Sequence, residues 1–313
     1  MKSGQPSLHS ISITLLAGSA TIGSLLGLST QSPVVFWISI AVILTIGVPH
    51  GGLDHLTGRD LLSSRFGSLW KFLFFGGYLA VAFIVAGGWL TFPLLTAIGF
   101  FLISAWHFGL EEERAACSNL LWNHVQAVAM GGAVIWFPVL FQTDRMTEIL
   151  QAVVPAGLVS TAWIIDLTKV IAWGLLPMII LSMMQDGLSR QWLRFVRNAS
   201  FFLLFCVSDP LLSFVVYFCG WHSPRSLSGL ASTYQKSIAR VMLAAAPLTL
   251  GAIFSSLIGM LFWSNGQTLS DASVRTLFIS LSAVAVPHLL LHGPVSGVLS
   301  RRSPSPLRPV EGF

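Results

Sequence analysis

Long apolar runs separated by short polar segments dominate the pattern of the chain. Ten runs are close to or longer than the stretch of about 17 to 20 apolar residues that crosses a bilayer as a helix. They cover residues 11–30, 34–50, 69–91, 93–110, 119–141, 147–165, 169–185, 197–220, 238–263 and 275–293. Asp209-Pro210 interrupts the eighth run, which we expect to be kinked or re-entrant. The pattern predicts an all-α, polytopic integral membrane bundle with about eight to ten transmembrane helices.

The composition excludes an ordinary soluble protein. Hydrophobic residues make up 54% of the 313 residues and charged residues 9%, whereas about 25% of a typical globular chain is charged. We expect one membrane-embedded catalytic domain over residues 1–300 and a flexible C-terminal tail over residues 301–313. The net charge of +5 does not indicate nucleic-acid binding, because the basic residues are scattered through loops, as in multi-pass proteins of the cell membrane.

Histidines carry the candidate chemistry of these apolar runs. Six of the eight lie near the ends of apolar runs, within residues 47–55, 105–112, 217–225 and 286–292. Ionisable groups in membrane segments are costly, so several gathered there indicate function. Imidazole is the commonest metal ligand in proteins, and four or more imidazoles suit iron, copper or zinc. The pattern therefore predicts a metal site inside a membrane protein.

The spacing of His288 and His292 favours two ligands of one ion. Residues four apart lie on one face of a helix, about one turn from each other. Pro287 precedes the pair, and proline in a membrane helix allows a local distortion that can aim side chains inward. The alternative is that both histidines hydrogen-bond neighbouring carbonyl groups at a helix end.

A carboxylate follows two further candidate ligands at the same distance. Asp54 lies four residues after His50, and Glu111 lies four residues after His107. On a continuous helix each carboxylate could accept a hydrogen bond from the second ring nitrogen of its histidine, which is how ligating imidazoles are usually oriented. The alternative for Glu111 is the start of a solvated loop.

Two other histidines have open roles. His55 can share an ion with His50 only if Gly51 and Gly52 unwind the turn; otherwise it supports the site or lies at the membrane interface. His222 is a ligand, a residue that supports a ligand, or an interface histidine. His9 and His124 stand alone in the sequence, and we assign them no role.

Aromatic residues flank the histidines. They are Trp106, Phe108, Tyr217 and Trp221. Aromatic residues of membrane proteins usually form interfacial belts, but beside a metal they could line a pocket for a flat apolar substrate.

The histidine motifs together resemble those of the Brp/Blh family of membrane β-carotene 15,15′-dioxygenases. They read Pro-His-Gly-x-x-Asp-His, Trp-His-Phe-Gly-x-Glu-Glu, Trp-His-Ser-Pro-Arg and Pro-His-x-x-x-His, at residues 49–55, 106–112, 221–225 and 287–292. They follow the family's order. One departure is that Ser226 and Leu227 follow the third motif without a further histidine.

The resemblance implies an all-helical membrane enzyme that cleaves the central double bond of β-carotene with O2. The products would be two molecules of all-trans-retinal, which links the enzyme to retinal-binding rhodopsins. The resemblance also implies a non-haem Fe(II) whose ligands carry over to His50, His107, His288 and His292. No catalytic residue beyond the metal site is implied.

Two other function classes fit a membrane protein rich in histidine. A di-iron desaturase or hydroxylase would need about eight histidines that include His-x-x-His-His boxes, and the chain has no such box. A metal or proton transporter would distribute ionisable groups at several depths of the membrane, whereas these histidines cluster near run ends. Both classes are therefore less favoured than the dioxygenase.

Overall fold

A computed structural model describes residues 8–111, 120–154, 162–264 and 268–291. Helices account for all the regular secondary structure of these residues, and the predicted all-α class is confirmed. Fourteen α-helices occur in this part of the chain. They are α1 (Leu8–Leu25), α2 (Pro33–Val42), α3 (Asp54–Phe66), α4 (Trp70–Thr91), α5 (Pro93–Glu111), α6 (Leu120–Gly131), α7 (Ala133–Phe141), α8 (Thr143–Val153), α9 (Ala162–Leu188), α10 (Trp192–Val207), α11 (Pro210–Tyr217), α12 (Ser223–Thr233), α13 (Ile238–Trp263) and α14 (Leu269–Leu290).

Several of these helices are long and apolar enough to cross a membrane. Within the described residues, six candidate spans meet this condition. They are found in Leu8–Leu25, Pro33–Thr91, Pro93–Leu110, Ala162–Leu188, Ile238–Trp263 and Leu269–Leu290. A seventh span results if α6 and α7, which meet at an angle of 55°, are counted as one. The chain is thus a multi-pass membrane protein with fewer spans in this part than the eight to ten predicted.

The difference arises where polar and proline residues shorten a helix. The helix predicted over residues 147–165 is wrong, because α8 ends at Val153 and Val154 is extended. Pro155 follows in the sequence, and a residue that precedes proline is biased away from helical geometry. The helix predicted over residues 119–141 is split into α6 and α7.

The predicted interruption at Asp209-Pro210 is confirmed. Helix α10 ends at Val207, and the Asp209 side chain caps α11 by accepting from the backbone N–H groups of Leu211 and Leu212. Pro210 occupies the first turn, where a missing N–H costs nothing. The Asp209 carboxylate also accepts from Arg145 Nε at 2.9 Å, so a buried charge sets the direction in which α11 starts.

The chain divides into two compact units, each formed by two segments. The first unit comprises the described residues of Met1–Ile43 and Ala97–His222. Within it α1 packs along α10, and α7 packs against α9 and α10. The single catalytic domain predicted over residues 1–300 stays a prediction, and the predicted tail over residues 301–313 lies outside the described residues.

The second unit comprises the described residues of Leu44–Thr96 and Ser223–Phe313. Helix α14 packs against α4 and α13, and the segment Val48–Leu53 packs against α13. A buried cluster joins this segment to α3, α12 and α13. Its members are Leu53, Leu56, Leu227, Ala231, Val241 and Ala245. This core holds the segment that carries His50.

Candidate functional site

His50 lies where the helix changes its winding. Ile43–Gly47 form a π-helical turn and Val48–Leu53 form a 3-10 helix, and such departures from α-helical winding are frequent at functional sites. Gly52 allows this segment to approach α13 closely, because a Cβ at this position would lie 2.8 Å from the Ala245 carbonyl oxygen. His50 in this segment is buried, with 8% of its surface exposed.

A buried carboxylate holds His288 in the last turn of α14. Nδ1 of His288 donates to Oδ1 of Asp54 at 2.7 Å, and the Tyr78 hydroxyl donates to Oδ2 of Asp54 at 3.0 Å. The same hydroxyl lies 3.0 Å from the carbonyl oxygen of Val284. Asp54 is 1% exposed, and burying a carboxylate is costly unless it is paired and hydrogen-bonded. These contacts offset that cost and fix the orientation of the His288 ring.

The partner of Asp54 differs from the one that the spacing predicted. We expected Asp54 to orient His50, whereas Nδ1 of His50 donates to the carbonyl oxygen of Gly47 at 2.5 Å, and Asp54 orients His288. The four-residue spacing places two side chains on one face only in a continuous α-helix. The segment that precedes Asp54 is a 3-10 helix with about three residues per turn. Asp54 therefore faces α14.

His50 and His288 form the first pair of histidines. Their ring centroids are 5.5 Å apart, and the ring planes lie at 80°. In both rings Nδ1 is engaged by an oxygen acceptor, so the neutral imidazole carries its lone pair on Nε2. An oxygen acceptor on the second ring nitrogen is the usual arrangement of a metal-ligating histidine. The chemistry of these two donors therefore fits a divalent transition metal.

His55 lies on α3, five residues after His50 in the sequence. Its Nδ1 donates to the carbonyl oxygen of Gly52 at 3.1 Å, and the ring is half-buried. The 3-10 winding of Val48–Leu53 confirms that the helix is not regular here. The role of His55 stays a prediction.

His107 and His222 form the second pair, which lies in the first unit. Their ring centroids are 5.1 Å apart, with the ring planes at 72°. His222 ends a π-helical turn, Phe218–His222, and is 2% exposed. Phe108 packs edge-on against His222 with a centroid distance of 4.7 Å. The structure places His222 beside His107, and which of its three roles applies stays a prediction.

Gly109 allows α5 to present His107 and Phe108 at a close helix crossing. A Cβ at Gly109 would lie 1.8 Å from the carbonyl oxygen of Ala127 on α6. A Cβ at Gly131 would lie 2.1 Å from the backbone nitrogen of Gly109. The glycine of the Trp-His-Phe-Gly motif is thus needed for backbone contact.

The four aromatic residues predicted to line a substrate pocket separate into two groups. Phe108 and Tyr217 contact each other, with a centroid distance of 5.5 Å. The two tryptophans each contact a histidine instead. Trp106 donates from its indole nitrogen to Nδ1 of His124 at 3.4 Å, and Trp221 stacks on His9 at 5.3 Å. His9 and His124, which stand outside the motifs in the sequence, thus each contact a tryptophan of a motif.

A small apolar cavity of about 30 Å³ lies next to Tyr217 in the first unit. Tyr217 is the residue that connects the cavity wall to Phe108 and hence to the second histidine pair. The lining is Met130, Ala133, Phe137, Ile179, Met183, Asn198, Phe201, Phe202, Phe205 and Tyr217. Nine of these ten side chains are apolar or aromatic, so the wall of this small cavity is hydrophobic.

Two predicted site residues cannot be placed. His292 lies outside the described residues, as does the side chain of Glu111, whose backbone ends α5. Within the described residues, no group of three or more His, Cys, Asp or Glu side chains is arranged to hold a metal ion. The roles of His50, His107, His288 and His292 as metal ligands therefore stay predictions.

The part of the chain that contains these histidines also matches a known protein family. A family model described as beta-carotene 15,15′-dioxygenase matches residues 41–294, which include both histidine pairs. The chain belongs to the β-carotene 15,15′-dioxygenase family. The predicted enzyme class, a carotenoid dioxygenase, is confirmed by this membership, and the desaturase and transporter alternatives lose their support.

Two relatives of the dioxygenase family cover most of the chain. The beta-carotene 15,15′-dioxygenase of uncultured marine bacterium 66A03 is 31% identical over 261 residues, which are 82% of this chain and 92% of the relative. The probable beta-carotene 15,15′-dioxygenase Blh of Halobacterium salinarum is 22% identical over 301 residues, which are 86% of this chain and 87% of the relative. No solved structure matches the chain significantly.

Sequence reasoning missed Tyr78, which donates to the carboxylate that orients His288, and Gly47, whose carbonyl oxygen accepts from His50. Tyr78 is one of three tyrosines and lies within the apolar run of residues 69–91. A hydroxyl group in an apolar helix was the available signal. Nothing in the sequence marked the Gly47 carbonyl group.

Proposed function

We propose that the chain cleaves the central 15,15′ double bond of β-carotene with O2 and releases two molecules of all-trans-retinal. The observation that carries this proposal is the family match over residues 41–294. The relative from uncultured marine bacterium 66A03, which bears the name of this activity, supports it over 82% of the chain.

We also propose Fe(II) as the cofactor, held by His50, His107, His288 and His292. The orientation of His50 and His288 supports this assignment, because both rings donate from Nδ1 to an oxygen acceptor, as metal-ligating histidines usually do. The contact between His107 and His222 adds His222 as a further candidate ligand. When bound, Fe(II) supplies the activation of O2.

The contributions of the chain itself are orientation of the imidazoles and exclusion of water. Neutral imidazoles leave the full positive charge of a divalent metal uncompensated, and no carboxylate is required as a ligand. The buried rings of Phe108, Tyr217 and Phe218 surround the second histidine pair with apolar surface. We propose that Phe108 and Tyr217 contact the polyene of the substrate, while the place of Trp106 and Trp221 in the pocket stays a prediction.

The location of the substrate follows from its solubility. β-Carotene is an apolar polyene that partitions into the lipid bilayer, so we propose that it reaches the site laterally from the cell membrane. Large apolar side chains on the candidate spans, such as Phe83 at 71% and Ile84 at 72% exposure, are suited to contact lipid. A retinal-binding rhodopsin would consume the product.

The decisive experiment is expression in cells that make β-carotene, followed by extraction of the pigments. We expect the cells to turn from orange to pale yellow and to accumulate retinal. Cells that express His50→Ala at the same protein level should stay orange. Intact carotene in cells with the wild-type chain, or an asymmetric apocarotenal as the product, would contradict the proposal.

A further inference from the structure

We infer that Tyr78 is a positioning residue of the metal centre: its hydroxyl group fixes the carboxylate that orients His288. This inference rests on the proposed function, in which His288 is a metal ligand. Tyr78 is not part of any of the four histidine motifs. It touches neither substrate nor metal in this role, and acts through Asp54.

The hydrogen bonds form a continuous path from α4 to α14. The Tyr78 hydroxyl donates to Oδ2 of Asp54 at 3.0 Å, and Oδ1 of the same carboxylate accepts from Nδ1 of His288 at 2.7 Å. The hydroxyl also lies 3.0 Å from the carbonyl oxygen of Val284, one helical turn before His288. Tyr78 therefore contacts the carboxylate and the backbone of the helix that carries His288.

The hydroxyl matters because a carboxylate has a soft side-chain torsion. The terminal torsion of Asp is broad, so one hydrogen bond leaves the carboxylate plane loosely defined. A donor on each oxygen atom defines the plane, and with it the direction in which the His288 ring faces. Bonds to an ionised group are also stronger than neutral ones. Loss of the Tyr78 donor should therefore loosen His288 without removing its Asp54 acceptor.

The ring of Tyr78 is held independently of its hydroxyl group. Phe74 lies 5.6 Å from the Tyr78 ring, and α3 meets α4 closely at Gly58, where an added Cβ would lie 2.1 Å from the Phe74 ring. Phenylalanine at position 78 should keep this packing. Tyr78→Phe is thus a test of the hydroxyl group alone.

Tyr234 provides a matched control within the same unit. Its hydroxyl donates to Oδ2 of Asp60 at 2.9 Å, so the bond has the same chemistry and nearly the same length. The side chain of Asp60 is 22% exposed and lies 3.6 Å from Arg59, and it has no part in either histidine pair. Tyr234→Phe removes an equivalent bond away from the proposed ligands.

The experiment measures Fe(II) affinity of the purified full-length protein in detergent, together with kcat, KM and the thermal midpoint. Replacement of a group that supports a ligand typically costs about 10–100-fold in metal affinity or activity. We expect Tyr78→Phe to lose affinity within this range, with KM unchanged and with activity recovered by excess Fe(II), while the thermal midpoint falls modestly because the buried Asp54 carboxylate loses one donor. Tyr234→Phe should match the wild type.

A double-mutant cycle separates positioning from a general structural effect. If Tyr78 acts through Asp54, Tyr78→Phe combined with Asp54→Asn should bind Fe(II) no more weakly than Asp54→Asn alone. If the double variant lost affinity by the product of the two single losses, the two residues would act independently, and the inference would be overturned. Wild-type affinity in Asp54→Asn would also overturn it, even if Tyr78→Phe failed to fold.

The outcomes distinguish this inference from the proposed function. Wild-type protein that binds Fe(II), together with a Tyr78→Phe variant of equal affinity, would overturn the role of Tyr78 and leave the metal proposal standing. Wild-type protein that binds no Fe(II) would overturn the metal proposal and the role of Tyr78 with it.

Discussion

Nδ1 of His288 lies 2.7 Å from Oδ1 of Asp54, although 234 positions separate the two residues in the sequence. The bond joins the Pro-His-Gly-x-x-Asp-His motif to the Pro-His-x-x-x-His motif. A hydrogen bond that orients a histidine ring therefore links two of the four histidine motifs. Since the bond lies wholly within the second unit, it is a property of that unit's own packing.

Asp54→Asn should weaken metal binding without abolishing it. The amide keeps the size of the side chain but loses the charge that holds Nδ1 of His288. We expect Fe(II) affinity to fall by about 10–100-fold and activity to return with excess Fe(II), whereas His288→Ala should stay inactive. Metal titration of the purified variants measures the difference, with Asp60→Asn as the control.

The equivalent change at Glu111 tests the prediction made from its spacing to His107. If Glu111 orients His107 as Asp54 orients His288, Glu111→Gln should show the same partial loss and the same recovery by excess Fe(II). Glu113→Gln, two residues further along the sequence, should behave as the wild type. Equal affinity in all three proteins would assign Glu111 to a solvated loop.

His107→Ala and His222→Ala should both lower the iron content of the purified protein. The two rings are 5.1 Å apart and His222 is buried, so loss of either imidazole removes a candidate ligand. Metal analysis of each variant checks this, with His124→Ala as a control that should retain iron. A His222→Ala protein with full iron would leave His222 as a packing residue of Phe108.

His292→Ala should also lower the iron content, as the resemblance to the dioxygenase family implies. Comparison with His222→Ala decides between the two as a partner of His107 in metal binding. If His292→Ala retained its iron and His222→Ala lost it, we would assign His222 instead of His292 as a ligand.

The active protein should contain about one iron per chain, because a set of four imidazoles suits a single ion. Metal analysis of the purified protein measures the stoichiometry. Treatment with an Fe(II) chelator should remove the activity, and added Fe(II) should restore it. Stoichiometric zinc together with chelator-resistant activity would contradict redox chemistry at iron.

Phe108→Leu should raise the KM for β-carotene several-fold and leave the iron content unchanged. Leucine keeps an apolar side chain of similar size but removes the ring that contacts Tyr217 and His222. Steady-state kinetics and metal analysis together test this. Phe83→Leu, at a position that is 71% exposed, is the control. Loss of iron with an unchanged KM would show that Phe108 supports His222 instead of the substrate.

Gly109→Ala should destabilise the protein, since its Cβ would lie 1.8 Å from the Ala127 carbonyl oxygen. Overpacking of this kind typically costs about 1–3 kcal/mol. Helices α5 and α6 must separate to relieve the contact, so iron content should fall as well. Gly99→Ala on the same helix meets no atom within 4 Å and should be neutral or slightly stabilising. Thermal unfolding in detergent compares the two variants.

Sequence reasoning determined the features that depend on local composition. Apolar run length predicted an all-α membrane protein, because a helix is the way in which a single chain segment satisfies its backbone hydrogen bonds in lipid. Asp209-Pro210 predicted the break before α11, because proline has no N–H and aspartate caps a helix start. The four histidine motifs identified the residues around which both pairs form.

Tertiary structure decided which of these residues meet. Spacing assigned Asp54 to His50, but the 3-10 winding of Val48–Leu53 turns the carboxylate toward His288 on α14. The Tyr78 hydroxyl on α4 donates to the same carboxylate, and no local pattern in the sequence predicts that contact. A spacing of four residues places two side chains together only where the helix is regular. Partners hundreds of positions apart are set by the packing of helices, which linear spacing does not contain.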